Sequence, residues 1–143
     1  MIEFDNCFKK KLLVKIKPSR ELAGKSIRQA NHFLNKAETY LADVETVSIY
    51  LYFAFFHAAR ALLFKDGIRE RSHYCTLVYL EHTYIKRKKI SEEYLNILRA
   101  LKESRQEIQY GFVIGSTLEP NVLKNYFKKC AQFIKDVNSI ISY

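Results

Sequence analysis

Apolar side chains recur every three or four positions along most of the chain, which is the spacing of one face of an α-helix. A first long helix is predicted from Ser19, a good N-cap residue, to about Ala42, and a last long helix opens at Glu119-Pro120. The apolar positions of these two helices are Ile27, Ala30, Leu34, Ala37 and Leu41, and Val122, Tyr126, Cys130, Phe133, Val137 and Ile140. Each set forms one stripe that faces a common core.

The beginning of the chain has the same four-residue spacing. Its apolar positions are Phe4, Phe8, Leu12 and Ile16. They predict a short helix that ends at Lys17-Pro18, because proline disfavours helical geometry in the residue before it. Lysines would cover its outer side and make residues 1–18 a basic N-terminal extension. These lysines are Lys9, Lys10, Lys11, Lys15 and Lys17.

The middle of the chain predicts three more helices. A second helix from about Glu45 to Lys65 is apolar nearly all round and therefore central, and Gly67 after it is typical of a Schellman stop. Ser72 caps a shorter helix that runs to about Tyr84, and the basic run 86–89 then forms a solvated connection. Ser91 caps a fourth helix that ends between Tyr110 and Phe112, before a break bracketed by Gly111 and Gly115.

Composition agrees with a helical fold. Only four glycines and two prolines occur in 143 residues, too few for many turns and hairpins. There is no internal repeat or linker, so we predict one domain over residues 1–143. Its class is all-α, an antiparallel up-and-down bundle of four long helices with shorter pieces.

Neither a membrane span nor a metal or disulfide framework is predicted. The most apolar stretch, 49–64, contains His57 and Arg60, which lipid tolerates poorly. The three cysteines are odd in number and far apart, without metal-ligand spacing, and no cofactor is indicated. The first residues are acidic before the chain turns basic, the wrong order for a secretory signal. We therefore expect a cytoplasmic protein.

Charge changes this picture by suggesting a partner. Lys and Arg outnumber Asp and Glu by 24 to 15, a formal net charge of +9. Such a surplus attracts polyanions, so nucleic acid is the partner to test, and a merely soluble basic protein is the alternative. Arg60 and the exposed run are the candidate contacts. The run consists of Lys86, Arg87, Lys88 and Lys89.

Arg105 does not fit a simple core. At about 100° per residue it lies in the middle of the apolar stripe of the fourth helix. That stripe is formed by Tyr94, Leu98, Leu101, Ile108 and Phe112. An arginine keeps its charge, so an inward guanidinium needs a carboxylate, carbonyl groups, a partner subunit or a phosphate. The plainer alternative is that the methylene groups of Arg105 pack against the core while its guanidinium reaches water or a buried glutamate.

Two histidines are candidates for proton transfer. His57 shares a helix face with Arg60, whose charge should lower the pKa of His57 and keep its ring neutral, as a general base requires. A hydrogen-bonded structural histidine is the alternative. His73 can do the same chemistry, but it lies at a helix start, and for it and His82 we predict a surface role.

Several stretches carry a family resemblance. They are Ser48 to Leu63 (SIYLYFAFFHAARALL), Gly67-Ile68, Ser72-His73 and Glu103 to Gly111 (ESRQEIQYG). They resemble the HEPN superfamily and, more narrowly, the small stand-alone archaeal and bacterial members often encoded beside a minimal nucleotidyltransferase. The similarity covers about Lys25 to Ile140.

The resemblance implies a two-fold dimer in which the fourth helices and their motif residues lie near the dimer cleft. Active ribonucleases of the superfamily carry an Arg, four to six residues and then a His, and they cut RNA without a metal. Arg105 matches the arginine, but Tyr110 stands where a histidine would, and no histidine follows. Tyrosine, with a pKa near about 10, is a poor general base at neutral pH.

Three functions follow from the residues and the resemblance. The first is an RNA-binding component of a toxin–antitoxin or defence-like pair, active as a metal-independent endoribonuclease. Arg105 would bind the scissile phosphate, and Tyr110, His57 or His73 would move or position protons. The second is a non-enzymatic adaptor that dimerises and binds a nucleotidyltransferase partner. The third makes Tyr110 an acceptor of a nucleotide from that transferase.

Overall fold

The computed structural model describes residues 2–110 and 118–142 of the chain. The elements within them are α1 Ile2–Lys9, β1 Leu13–Lys15, α2 Arg20–Thr39, α3 Val44–Asp66, β2 Ile68–Glu70, α4 His73–Leu80, α5 Glu92–Gln109 and α6 Pro120–Ile141. A π-helical turn, Glu81–Ile85, continues α4. The chain is 77% helical, and the predicted all-α bundle is confirmed.

The predicted helix boundaries are confirmed where side chains cap them. The hydroxyl oxygens of Ser19, Ser72 and Ser91 each accept a hydrogen bond from a backbone N–H in the first turn of α2, α4 and α5. At the other end of α3, Gly67 has a left-handed φ of 78°, and its N–H donates to Leu63 and Phe64 carbonyls. The predicted break from Gly111 to Gly115 lies outside the described residues.

Helix α3 is the centre of the bundle. It packs along α2, to which residues 40–43 connect it as an antiparallel hairpin, and against α5 and α6. By length and composition it is the one described helix that could cross a membrane, but 72% of its apolar window is buried inside the fold. Its apolar character is therefore explained by a core position.

The N-terminal segment differs from the prediction of one helix up to Lys17. The helix ends at Lys9, Lys11 takes a left-handed φ of 57°, and β1 pairs antiparallel with β2, with Val14 opposite Arg69. The four-residue apolar spacing also keeps side chains on one face of an extended segment, whose period is two, so it does not separate helix from strand. In a longer helix the backbone N–H and C=O groups of this segment would bond within the helix. Here the segment pairs with β2 instead, so it is a strand.

The prediction that no disulfide forms is wrong. Cys7 of α1 and Cys75 of α4 are joined across a separation of 68 residues, and both are buried. Their spacing gave no sign of this, because the fold, and not the sequence distance, places α1 against α4. Cys130 is free and buried.

Candidate functional site

Arg105 projects from α5 onto the aromatic face of α3. Its guanidinium carbon lies 5.0 Å from the ring centroid of Tyr52 and 5.7 Å from that of Phe53, and the residue is half-buried. No carboxylate in the described part of the chain lies within ion-pair distance of it. The prediction that Arg105 points inward is confirmed, although Phe112 and the side chain of Ile108 lie outside the described residues.

His73 lies beside this arginine, and the predicted surface role for it is wrong. The first turn of α4, capped by Ser72, places its ring on Phe56, with 4.2 Å between the ring centroids. Its Nδ1 lies 2.5 Å from the Tyr52 hydroxyl oxygen, and in the tautomer protonated at Nε2 the hydroxyl donates to Nδ1. Burial lowers the pKa of His73, and the charge of Arg105 lowers it further.

Tyr52 thus connects the arginine and the histidine. The residue is buried, and burial raises the pKa of its phenol, while the adjacent Arg105 opposes this rise. A neutral phenol is a stable hydrogen-bond donor at neutral pH. Tyr52 therefore fixes the ring of His73 and supports the guanidinium of Arg105 with its face.

A cleft of about 390 Å³ opens next to this cluster. It is lined by Phe53, Phe56, His57, Arg60, Glu70, Arg71, Ser72 and His73. The pKa of His57 is lowered to about 4, mainly because its ring is buried and further because of the charge of Arg60. The lowered pKa agrees in direction with the prediction of a neutral His57, and the imidazoles of His57 and His73 both line the cleft.

Arg60 is balanced by a carboxylate, unlike Arg105. Its Nε forms an ion pair with Glu70 on β2, whose side chain is only 7% exposed, and its guanidinium also lies over the ring of Phe64. Burial raises the pKa of Glu70 although Arg60 acts in the opposite direction. The predicted role of Arg60 in binding nucleic acid stays a prediction, with its charge already partly neutralised.

The structure does not bring the other candidates into this cluster. Tyr110 caps the C-terminus of α5 and is 66% exposed, and no contact within the described chain joins it to Arg105. The run 86–89 is exposed in the turn before Ser91, as predicted for a connection, and Arg87 lines a different cleft. His82 is half-buried with its ring stacked on Phe4, and it lines the same cleft as Arg87, away from the Arg105 cluster.

Sequence reasoning missed Tyr52 and Glu70. Tyr52 is one of several aromatic residues on α3, and nothing in the local pattern separates it from its neighbours. Its partner His73 is 21 residues away, and Glu70 reaches Arg60 only because β2 folds back beside α3. The only available signal was the unusual density of aromatic residues around His57.

A half-buried arginine, two neutral histidines and a tyrosine on a helical bundle define a protein that can bind an anion and move a proton. Among the described residues, no group of three or more His, Cys, Asp or Glu is placed to hold a metal ion. A family model described as the HEPN domain matches residues 23–142. The chain therefore belongs to the HEPN family, as the resemblance predicted.

HEPN domains are known for ribonuclease and nucleotide-related roles in toxin–antitoxin and defence systems, and they often dimerise. HEPN proteins are generally soluble. A search of curated proteins found no match. The matched range contains the whole Arg105 cluster and leaves out α1 and β1.

Proposed function

We propose that the protein is an RNA-binding component of a toxin–antitoxin or defence-like pair, in which Arg105 binds an RNA phosphate. The supporting observation is the half-buried Arg105 guanidinium, held on two aromatic rings without a carboxylate partner among the described residues. A charge removed from water is costly unless an opposite charge meets it. A phosphate oxygen pair fits a guanidinium in two parallel hydrogen bonds and would supply that charge.

The proposed active form is a two-fold dimer. The frequent dimerisation of HEPN domains supports this, and so does the apolar α3 face that carries Tyr50 and Phe53, which a single chain leaves half-buried. A two-fold axis near α5 would bring the Arg105 of both subunits to one cleft. Two guanidiniums would then surround one phosphate group.

Metal-independent cleavage is the chemistry that this site supports. His57, whose ring is neutral, takes the proton of a ribose 2′-hydroxyl, whose oxygen then attacks the adjacent phosphorus, while His73, whose Nδ1 already accepts from Tyr52, positions the substrate by donating from Nε2. The phosphorus–5′-oxygen bond breaks, the leaving oxygen takes up the proton that His57 received, and Arg105 stabilises the negative charge that develops on the phosphoryl oxygens. Tyr110 would reach this centre only from a position that the described contacts do not show.

The test is RNA cleavage in EDTA by the wild-type protein and the Arg105→Leu variant. We expect Arg105→Leu to lose at least about 100-fold of the cleavage rate while the melting temperature stays equal or rises, because leucine removes a buried charge and keeps apolar contacts. Arg99→Leu is the matched control. It lies on the same helix, pairs with Glu81 at the surface and should cut as the wild type does. A fully active Arg105→Leu protein contradicts the proposal.

A second candidate is the adaptor for a minimal nucleotidyltransferase partner, favoured by the exposure of Tyr110. Its hydroxyl is open to another enzyme, whereas Tyr52, Tyr79 and Tyr84 are buried. The separate third function adds a reaction to this contact, in which the Tyr110 oxygen would attack the α-phosphorus of a nucleoside triphosphate and release pyrophosphate. The same experiment separates the adaptor from the ribonuclease, because an adaptor cuts no RNA, whether as wild type or as a variant. If Arg105 serves the dimer interface of an adaptor, the Arg105→Leu variant should instead show the molar mass of a monomer in light scattering.

A further inference from the structure

The N-terminal segment builds a second cleft that the Arg105 site does not use. Its volume is about 1180 Å³, and it lies between the α1–β1 segment on one side and β2, α4 and the π-helical turn on the other. Lys9, Lys11 and Lys15 lie on the first side. All three precede residue 23, where the family match begins, so this wall lies outside the matched range.

The cleft is strongly basic. Five cationic side chains line it, but only one carboxylate, that of Asp5. The cations are Lys9, Lys11, Lys15, Arg71 and Arg87. All five are exposed, and none forms an ion pair within the described part of the chain. Such a concentration of unbalanced positive charge attracts a polyanion.

Three stacked or edge-to-face rings also line the cleft. Phe4 stacks on His82 with 3.7 Å between ring centroids and meets Phe8 edge to face at 5.2 Å, and all three rings are half-buried. Aromatic rings and cations that line one cleft are the two components of a surface that binds single-stranded nucleic acid, because bases stack on the rings while lysines follow the phosphates. A duplex hides its base faces and would use only the charges.

Arg71 connects the two clefts, because its side chain lines both this one and the 390 Å³ cleft that contains His57 and His73. We infer that the cleft between the N-terminal segment and α4 binds single-stranded RNA, and that it holds the nucleotides flanking the phosphate that Arg105 binds. The second part of this inference rests on the proposed function. The disulfide of Cys7 and Cys75 supports it by fixing α1, and with it one wall, to α4.

The test is fluorescence anisotropy of a labelled oligoadenylate single strand under non-reducing conditions. The cleft variant carries Lys9→Ser, Lys11→Asn and Lys15→Ser, with asparagine at 11 because it tolerates the left-handed backbone there. The control variant removes three exposed lysines of α6, by Lys124→Ser, Lys128→Ser and Lys135→Ser, and has the same net charge. Circular dichroism verifies that both are folded.

We expect the cleft variant to bind at least about tenfold more weakly than the wild type and to reduce the slope of log affinity against log salt by about 2, that is, three contacts of ~0.7 each. The control should bind as the wild type does. The single strand should bind more tightly than its duplex, and adenosine monophosphate should compete poorly. Equal losses in both variants, no loss in either, equal affinity for the duplex, or strong competition by the mononucleotide would each overturn the inference.

Arg105→Leu separates this inference from the proposed function. If the cleft variant loses binding while Arg105→Leu binds and cuts as the wild type does, RNA binding by the cleft is supported and phosphate binding by Arg105 is contradicted. If Arg105→Leu loses cleavage while the cleft variant keeps full affinity, the proposed function stands and the cleft fails.

Discussion

His57 is kept neutral by its surroundings. Its ring stacks on Phe33 with 5.5 Å between centroids, and its Nδ1 is buried without a hydrogen-bond partner in the described part of the chain. Protonation would place a second charge close to Arg60 and near His73. The histidine therefore resists protonation until its pKa of about 4, well below the value of about 6.5 that it has in the unfolded chain.

This difference predicts a pH-dependent stability. Between about pH 6.5 and pH 4 the unfolded chain binds a proton at His57 and the folded chain does not, so the free energy of unfolding falls as the pH falls through this window. From about pH 7 to pH 5, His57 should account for a loss of roughly 1–2 kcal/mol. Urea unfolding at both pH values, for the wild type and His57→Gln, measures this contribution as the difference between their losses.

The matched control is His32→Gln, at an exposed position of α2, which should keep the pH dependence of the wild type. The comparison of variants is needed because other groups also respond. Burial lowers the pKa of His73 and His82 too, which adds to the loss, while the raised pKa of Glu70 acts in the opposite direction. An unchanged pH dependence in His57→Gln would show that His57 is not held neutral.

At the scale of elements, the turn at Gly67 joins three parts of the fold. It ends α3, begins β2, and its carbonyl oxygen accepts a hydrogen bond from the Ile16 N–H next to β1. A Cβ at this position would lie 2.7 Å from the Ile16 carbonyl oxygen, in a backbone conformation that only glycine adopts without strain. The turn therefore depends on the absence of a side chain.

Gly67→Ala should destabilise the protein by more than about 1 kcal/mol, since it combines a left-handed alanine with a backbone clash. Gly24→Ala is the opposite case. Its Cβ would meet only the end of the Arg28 side chain at 3.6 Å, inside α2, so it should stabilise the protein by roughly 0.5–1 kcal/mol. Urea unfolding of the two variants tests both signs, and similar behaviour of the two would contradict the role of the turn.

At the scale of the whole molecule, the Cys7–Cys75 disulfide connects the N-terminal segment to the bundle. It closes a loop that includes α2, α3 and both strands. By restricting the unfolded chain, such a crosslink stabilises the folded state. The segment that forms one wall of the basic cleft is thus covalently attached to α4.

Reduction of this disulfide should lower the free energy of unfolding by about 2–4 kcal/mol. Urea unfolding with and without a reductant measures the loss. The double variant Cys7→Ser and Cys75→Ser should show the lower stability and no response to the reductant. Thiol labelling of the unfolded, unreduced protein should modify Cys130 alone, and labelling of all three cysteines would contradict the disulfide.

The sequence by itself determined the helices, their caps and the family. Helix periodicity, serine caps and the Gly67 stop are local, because each depends on hydrogen bonds or torsions within a few residues, and so they could be predicted from neighbours along the chain. The inward direction of Arg105 follows from helix geometry, and the direction of the His57 pKa shift follows from the charge of Arg60 on the same helix. The larger cause of that shift, burial of the ring, depends on what packs against α3.

Only the tertiary structure decided which of these residues meet. The contact of His73 with Tyr52, the ion pair of Arg60 with Glu70, the β1–β2 pairing and the disulfide all join residues of different elements, which only packing brings together. Apolar spacing shows that a face is buried but not which face covers it, since hydrophobic burial has no direction of its own. For that reason the N-terminal strand and the disulfide were predicted wrongly, and the candidate site became a cluster only once α3, α4 and α5 were packed together.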